Sequence, residues 1–125
     1  MDYPRSTINR AVRAISCSPF QLCLFTKMCT QSVALQEIAG QAGRAAGFTQ
    51  IIISERHTES AIAWLIQVGL LRREVDGQGL TDSFRLTPLG RQLIDQWQHQ
   101  GRPLPQPSWR DRIQNLYQRW LRLPV

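Results

Sequence analysis

The sequence predicts a mainly α-helical domain carrying a small β-hairpin. Apolar residues recur at three- and four-residue spacing over several stretches, which is the helical period. Two short alternating runs flank Asp76-Gly77-Gln78-Gly79, a turn-forming segment, so they pair as a hairpin. A length of 125 residues, 42% hydrophobic and 8% aromatic, gives one domain with a single core and room for a helical appendage.

Residues 6–16 read as a first helix, with Ile8, Ala11, Val12 and Ile15 on one stripe and Arg10 and Arg13 off it. Ser18-Pro19 starts a second, because Ser caps and Pro suits the first helical position. That helix runs to about Met28 and buries Phe20, Cys23 or Leu24, and the stem of Lys27, before Thr30-Gln31-Ser32 ends it. Val33, Leu35, Ile38, Ala39 and Ala42 predict a compact third helix ending at Gly40 or Gly43. Residues 44–54 resist assignment. Gly47 and the β-branched Ile51-Ile52-Ile53 oppose a continuous helix, yet the stretch is too apolar for an open loop.

The longest helix spans about 55–68, with Ile62, Leu65 and Ile66 inward and Gly69 as its C-cap. Residues 71–75 alternate like a strand, and Ser83-Phe84-Arg85-Leu86 alternates again. Thr87-Pro88 caps a helix reaching about Gln98, with Leu89, Leu93, Ile94 and Trp97 inward. Residues 101–107, Gly-Arg-Pro-Leu-Pro-Gln-Pro, form an extended linker. Ser108 then caps a final helix whose stripe is Trp109, Ile113, Leu116, Tyr117 and Trp120, with Arg110, Arg112, Arg119 and Arg122 around the other face. The chain thus divides into a basic N-terminal helix (1–17), a main domain (18–100), a Pro-rich linker (101–107) and an amphipathic basic helix (108–125).

The net charge is +6, and its placement matters more than its size. Residues 1–30 carry Arg5, Arg10, Arg13 and Lys27 against Asp2, and residues 101–125 carry five arginines against Asp111. Between them, six arginines face seven acids. The excess lies at the two ends, and basic arms seek phosphate on nucleic acid or a membrane surface. No apolar run approaches the ~20 residues that span a bilayer, and the N-terminus lacks the grammar of a secretory leader, so a cytoplasmic protein is expected.

Three cysteines and two histidines restrict the chemistry. Cys17, Cys23 and Cys29 recur every six residues, about 240° apart on a helix, so they do not converge on one ion. Their odd number argues against a disulfide framework, and small buried hydrophobes are the expected reading, ahead of a redox or metal sensor. Without a ligand cluster or a Gly-rich phosphate loop, no catalytic constellation assembles. Glu55 and Glu59 sit one turn apart, a spacing common on solvated helices. The expectation is a non-enzyme with no metal and no cofactor.

The order of elements resembles the winged helix-turn-helix superfamily. Ser18-Pro19-Phe20 opens what looks like its first helix, and Val33-Ala34-Leu35-Gln36-Glu37-Ile38-Ala39 is similar to its second. Thr58-Glu59-Ser60-Ala61-Ile62-Ala63-Trp64-Leu65-Ile66-Gln67-Val68-Gly69-Leu70-Leu71 resembles a recognition helix running into the first wing strand. Phe84-Arg85-Leu86-Thr87-Pro88-Leu89-Gly90-Arg91 resembles the return strand and the start of the next helix. The resemblance covers residues 18–98 and implies double-stranded DNA as partner, with the recognition helix in the major groove.

It places His57, Glu59, Ser60, Ala63 and Gln67 toward base edges, and Arg72, Arg73 and Arg85 of the wing toward phosphates or the minor groove. Arg44 and Arg56 flank the recognition helix as further phosphate contacts. Trp64 reads as core or interface. The stripe Trp109, Ile113, Leu116, Tyr117 and Trp120 suits a homodimer or a protein partner; a membrane-surface helix or a return onto the core stays open. The expected function is a small, dimeric, DNA-binding transcription regulator. The alternative is an interaction module of the same fold, docking on a protein complex or an anionic membrane through its basic ends.

Overall fold

A computed structural model of the chain describes residues 3–99, 112–113 and 115–116. Helix α1 (Arg5–Ser16) buries Ala11 and Ile15 of the expected stripe together with Ala14, while Ile8 and Val12 are half-buried against the core. Helix α2 (Leu22–Met28) starts later than Ser18-Pro19 suggests. The backbone ahead of it is already engaged: Phe20 bridges Thr49, and the Gln21 amide donates to the Phe48 carbonyl at 2.8 Å. Leu24, Phe25 and Met28 face the core, while Cys23 is exposed.

The compact third helix expected from Val33 onward is instead three pieces. Val33–Ala34 forms strand β1, Leu35–Ile38 forms α3 and Gly40–Ala45 forms α4. Strand β1 pairs antiparallel with a later strand, Val33 opposite Phe84. The Glu37 carboxylate accepts from the Ala34 amide at 2.8 Å and so anchors the start of α3. Ala39 is extended, and Gly40 (φ +68°) donates its amide to the Ile53 carbonyl at 2.7 Å. The two short helices pack closely because residue 43 is glycine: a Cβ there would lie 1.7 Å from the Ile38 carbonyl oxygen.

Residues 46–54, ambiguous in sequence, are a loop that doubles as core. Phe48, Thr49 and Ile53 are buried, whereas Ile51 and Ile52 point outward. The Phe48 amide donates to the Gly43 carbonyl, tying the loop to α4. The apolar run that argued against an open loop is therefore half core and half surface.

Helix α5 (Glu55–Gln67) begins where Ser54 accepts a hydrogen bond from the His57 amide, and Glu55 in its first turn complements the positive helix end. It ends at Gly69 (φ +89°), whose amide donates to Ile66 while that of Leu70 donates to Leu65, the paired closure of a Schellman motif. Strands β2 (Leu71–Asp76) and β3 (Gly79–Leu86) follow, in register Leu71 with Leu86, Arg73 with Phe84 and Val75 with Leu80. Helix α6 (Pro88–His99) closes the described core and buries Leu89, Gly90, Leu93 and Ile94. Its cap is Thr87: the hydroxyl accepts from the Gly90 amide at 3.1 Å, and its own hydrogen is shared between the carbonyls of Gly69 and Leu70.

The fold is mainly α with a small antiparallel sheet, as the sequence suggests. The sheet has three strands in the order β1-β3-β2 rather than the expected two. A two-residue strand is too short to show the alternation that marks the hairpin. One continuous core holds Phe25 and Phe84 at its centre, with Ile15, Leu24, Ile38, Ile62, Leu65 and Ile94 around them. Among the described residues, no helix is long and apolar enough to cross a membrane.

Candidate functional site

Helix α5 commits one face to the core through Thr58, Ala61, Ile62, Trp64 and Leu65. Three- and four-residue steps on the other side align Arg56, Ser60, Ala63 and Gln67 on one exposed ridge. His57 and Glu59 flank that ridge and are exposed as well. All five residues expected to face outward on this helix therefore do so, with Arg56 joining them. The ridge carries a cation, a hydroxyl and an amide, with the Glu59 carboxylate and the His57 imidazole on its flanks, and Ala63 leaves a flat spot among them. Arg44 is exposed in the last turn of α4.

The wing arginines are held differently. Arg73 lies 2.9 Å from the Asp82 carboxylate, donates to the Thr81 carbonyl at 3.1 Å and sits 4.9 Å above the Phe84 ring. Arg85 reaches Glu74 at 3.3 Å and donates to the Thr30 carbonyl. Arg72 is the most exposed of the three, with its guanidinium 3.6 Å from the other Glu74 oxygen. One carboxylate thus serves two arginines, Arg72 on its own strand and Arg85 on the strand opposite. Acids at 74 and 82 are visible in the sequence, but their partners depend on cross-strand register, which it does not display. At the tip, Val75 and Leu80 face each other at 64% and 75% exposure, an apolar end to the hairpin.

A contact reaches α5 from the C-terminal segment, in line with the return onto the core that the sequence leaves open beside the dimer and membrane readings, although no sequence pattern marks Asn115 itself. Arg112, Ile113, Asn115 and Leu116 are helical. Asn115 is buried, and its side-chain oxygen accepts from the Trp64 indole at 2.8 Å. Ile113 and Leu116 of the expected partner stripe are 55% and 54% exposed. Trp109, Tyr117 and Trp120 of that stripe lie outside the described residues, as does the 101–107 linker.

The cysteines do not share one environment. Cys17 and Cys29 are half-buried, but Cys23 is exposed, correcting the expectation that all three are interior. An amphipathic helix has to turn some positions outward, and Leu24 and Phe25 take the inward ones. The Cys23 thiol donates to the Gly47 carbonyl. Burial pushes the Cys29 thiol above its ordinary range; Asp95 adds to the rise and Arg91 opposes it. Among the described residues, no three of His, Cys, Asp and Glu come together as a metal-binding group.

No curated protein and no solved structure matches the chain. A protein-family model described as Npun_F0494-like matches residues 1–119, and the chain belongs to that family.

Proposed function

We propose that this chain is a small winged-helix DNA-binding protein, with α5 as recognition helix and β2–β3 as wing, working as a dimeric transcription regulator in the cytoplasm. The observation that carries the reading is the exposed polar ridge of α5, backed by a fully committed core face. Such a helix presents hydrogen-bonding side chains on a cylinder that fits the major groove. The order α2, β1, α3 and α4, α5, β2, β3 and the strand sequence β1-β3-β2 support the winged-helix assignment.

In this reading Ser60 and Gln67 address base edges, Ala63 packs against a thymine methyl, and Glu59 accepts from a cytosine amino group. Arg44 and Arg56 take phosphates on either side. The basic ends supply affinity without sequence, and exposed Ile113 and Leu116 belong to the dimer interface. Anisotropy of labelled random duplex over a salt series tests the proposal. Affinity falls with a log–log slope near −0.9 per phosphate neutralised. Absence of a complex at ~50 mM salt refutes it.

A second reading, an interaction module on the same scaffold, is favoured by the wing. Its arginines are matched by Glu74 and Asp82, and its tip is Val75 and Leu80. In that case substituting Ser60 or Gln67 leaves DNA preference flat, because there is none to change.

A further inference from the structure

Between α1 and the corner where α5 gives way to β2 runs a groove of about 300 Å³. Tyr3, Thr7 and Arg10 form one wall, and Gln67, Val68 and Leu89 stand opposite. Its volume lies at the small end of ligand clefts, enough for a single ring or a short chain.

Arg10 gives the groove its chemistry. Its side chain is half-buried, and its Nε is enclosed with no hydrogen-bond partner. Among the described residues no carboxylate pairs with it, in contrast to Arg72, Arg73 and Arg85. The enclosed Nε is out of a groove ligand's reach as well, so an anion in the groove is met by the terminal NH2 groups of the fork, which can bind a carboxylate by two parallel hydrogen bonds. The start of α6, a twelve-residue helix, lies in the facing wall and adds positive potential. The Thr7 hydroxyl supplies a further donor. Val68, Leu89 and the Tyr3 ring supply an apolar surface.

We infer that this groove binds a small carboxylate with a compact apolar body, its carboxylate on the Arg10 fork and its body against Val68, Leu89 and Tyr3. A single guanidinium beside an apolar wall suits a monoanion of this kind better than phosphate, which needs more donors around it. The site stands independently of whether α5 reads DNA, since no group of the argument except Gln67 belongs to the ridge.

The test is a titration of the isotopically labelled full chain with sodium benzoate at matched ionic strength. It is followed through the Arg10 Nε–H signal and the backbone amides of Thr7, Gln67 and Gly69. Saturable shifts of these signals with Kd of ~1 mM or tighter are expected. Benzamide, of the same shape without the charge, binds the unaltered chain at least tenfold more weakly. Arg10→Gln weakens benzoate by a similar factor. Shifts that fail to saturate by ~20 mM benzoate, equal binding of benzamide, or benzoate binding indifferent to Arg10→Gln would each overturn the inference. Equal shifts at these signals from inorganic phosphate would reduce the site to a general anion contact and overturn the carboxylate assignment.

Discussion

Replacing Gly90 by alanine sets two effects against each other. Alanine is favoured over glycine in a helix by about 1 kcal/mol, and Gly90 lies in the first turn of α6. Against this, a Cβ at position 90 would lie 2.5 Å from the Leu70 carbonyl oxygen and 2.8 Å from a Leu86 methyl. The methyl can rotate away. The carbonyl cannot, because it accepts from both the Thr87 amide and the Thr87 hydroxyl, at 3.0 and 3.1 Å. Overpacking of this kind costs about 1–3 kcal/mol, and weakening one of those hydrogen bonds adds about 1 kcal/mol. The net expectation is a loss of about 2 kcal/mol, or ~8 °C in Tm at roughly 4 °C per kcal/mol. Circular dichroism melts and urea titrations measure it, with an unchanged m-value marking a stability effect alone. Gly77→Ala is the control: a Cβ there meets nothing within 4 Å, and its melt should not move. A Gly90→Ala protein that melts at or above the parent temperature refutes the argument from close approach.

Further outcomes are expected. Glu74→Gln releases Arg72 and Arg85, so duplex affinity rises and the salt slope steepens by up to ~0.9 for each arginine that reaches a phosphate; an unchanged slope removes the wing from the DNA-binding reading. Asn115→Ala strands the buried Trp64 indole N–H and lowers stability by about 1–3 kcal/mol in a denaturant titration, whereas no change shows that the C-terminal contact contributes nothing. If the chain is the proposed dimer, Leu116→Glu on the exposed stripe yields a monomer in light scattering; a dimer that survives places the interface elsewhere. Alkylation mapped by mass spectrometry labels Cys23 first and Cys29 last. Because the folded state raises the Cys29 pKa, the stability it contributes is complete below about pH 8.5, the ordinary thiol value, and is lost as pH rises through the folded pKa. Equal loss of stability at alkaline pH in Cys29→Ser removes that thiol as the cause.

Helices α1, α5 and α6 were legible because each repeats its apolar stripe over three turns, and the hairpin because its turn is chemically distinct. The outward residues of α5 come from the winged-helix resemblance, and all five are exposed. Strand β1 was hidden, since Val33-Ala34 leads directly into α3 and its partner Phe84 lies fifty-one positions away. The same limit concealed the grip of Glu74 on Arg85, a diagonal pair set by the register that places Arg72 opposite Arg85. The groove at Arg10 draws its walls from α1, α5 and α6, so no local pattern announces it. Residues at 51–53 misled by type: three isoleucines look alike in sequence, but only Ile53 finds the interior.

The Thr87 hydroxyl has a consequence for the order of assembly. One side chain spans the end of α5, the entry to β2 and the first turn of α6. The hydroxyl caps the first turn of α6 locally, and closing of the α5–β2 corner fixes its orientation by giving its hydrogen two carbonyl acceptors. Formation of that turn and closing of the corner are thereby coupled, because both use the same hydroxyl. Amide protons of Gly90 and Arg91 should then exchange with solvent at the same rate as those of the first β2 residues, opening together as a single unit.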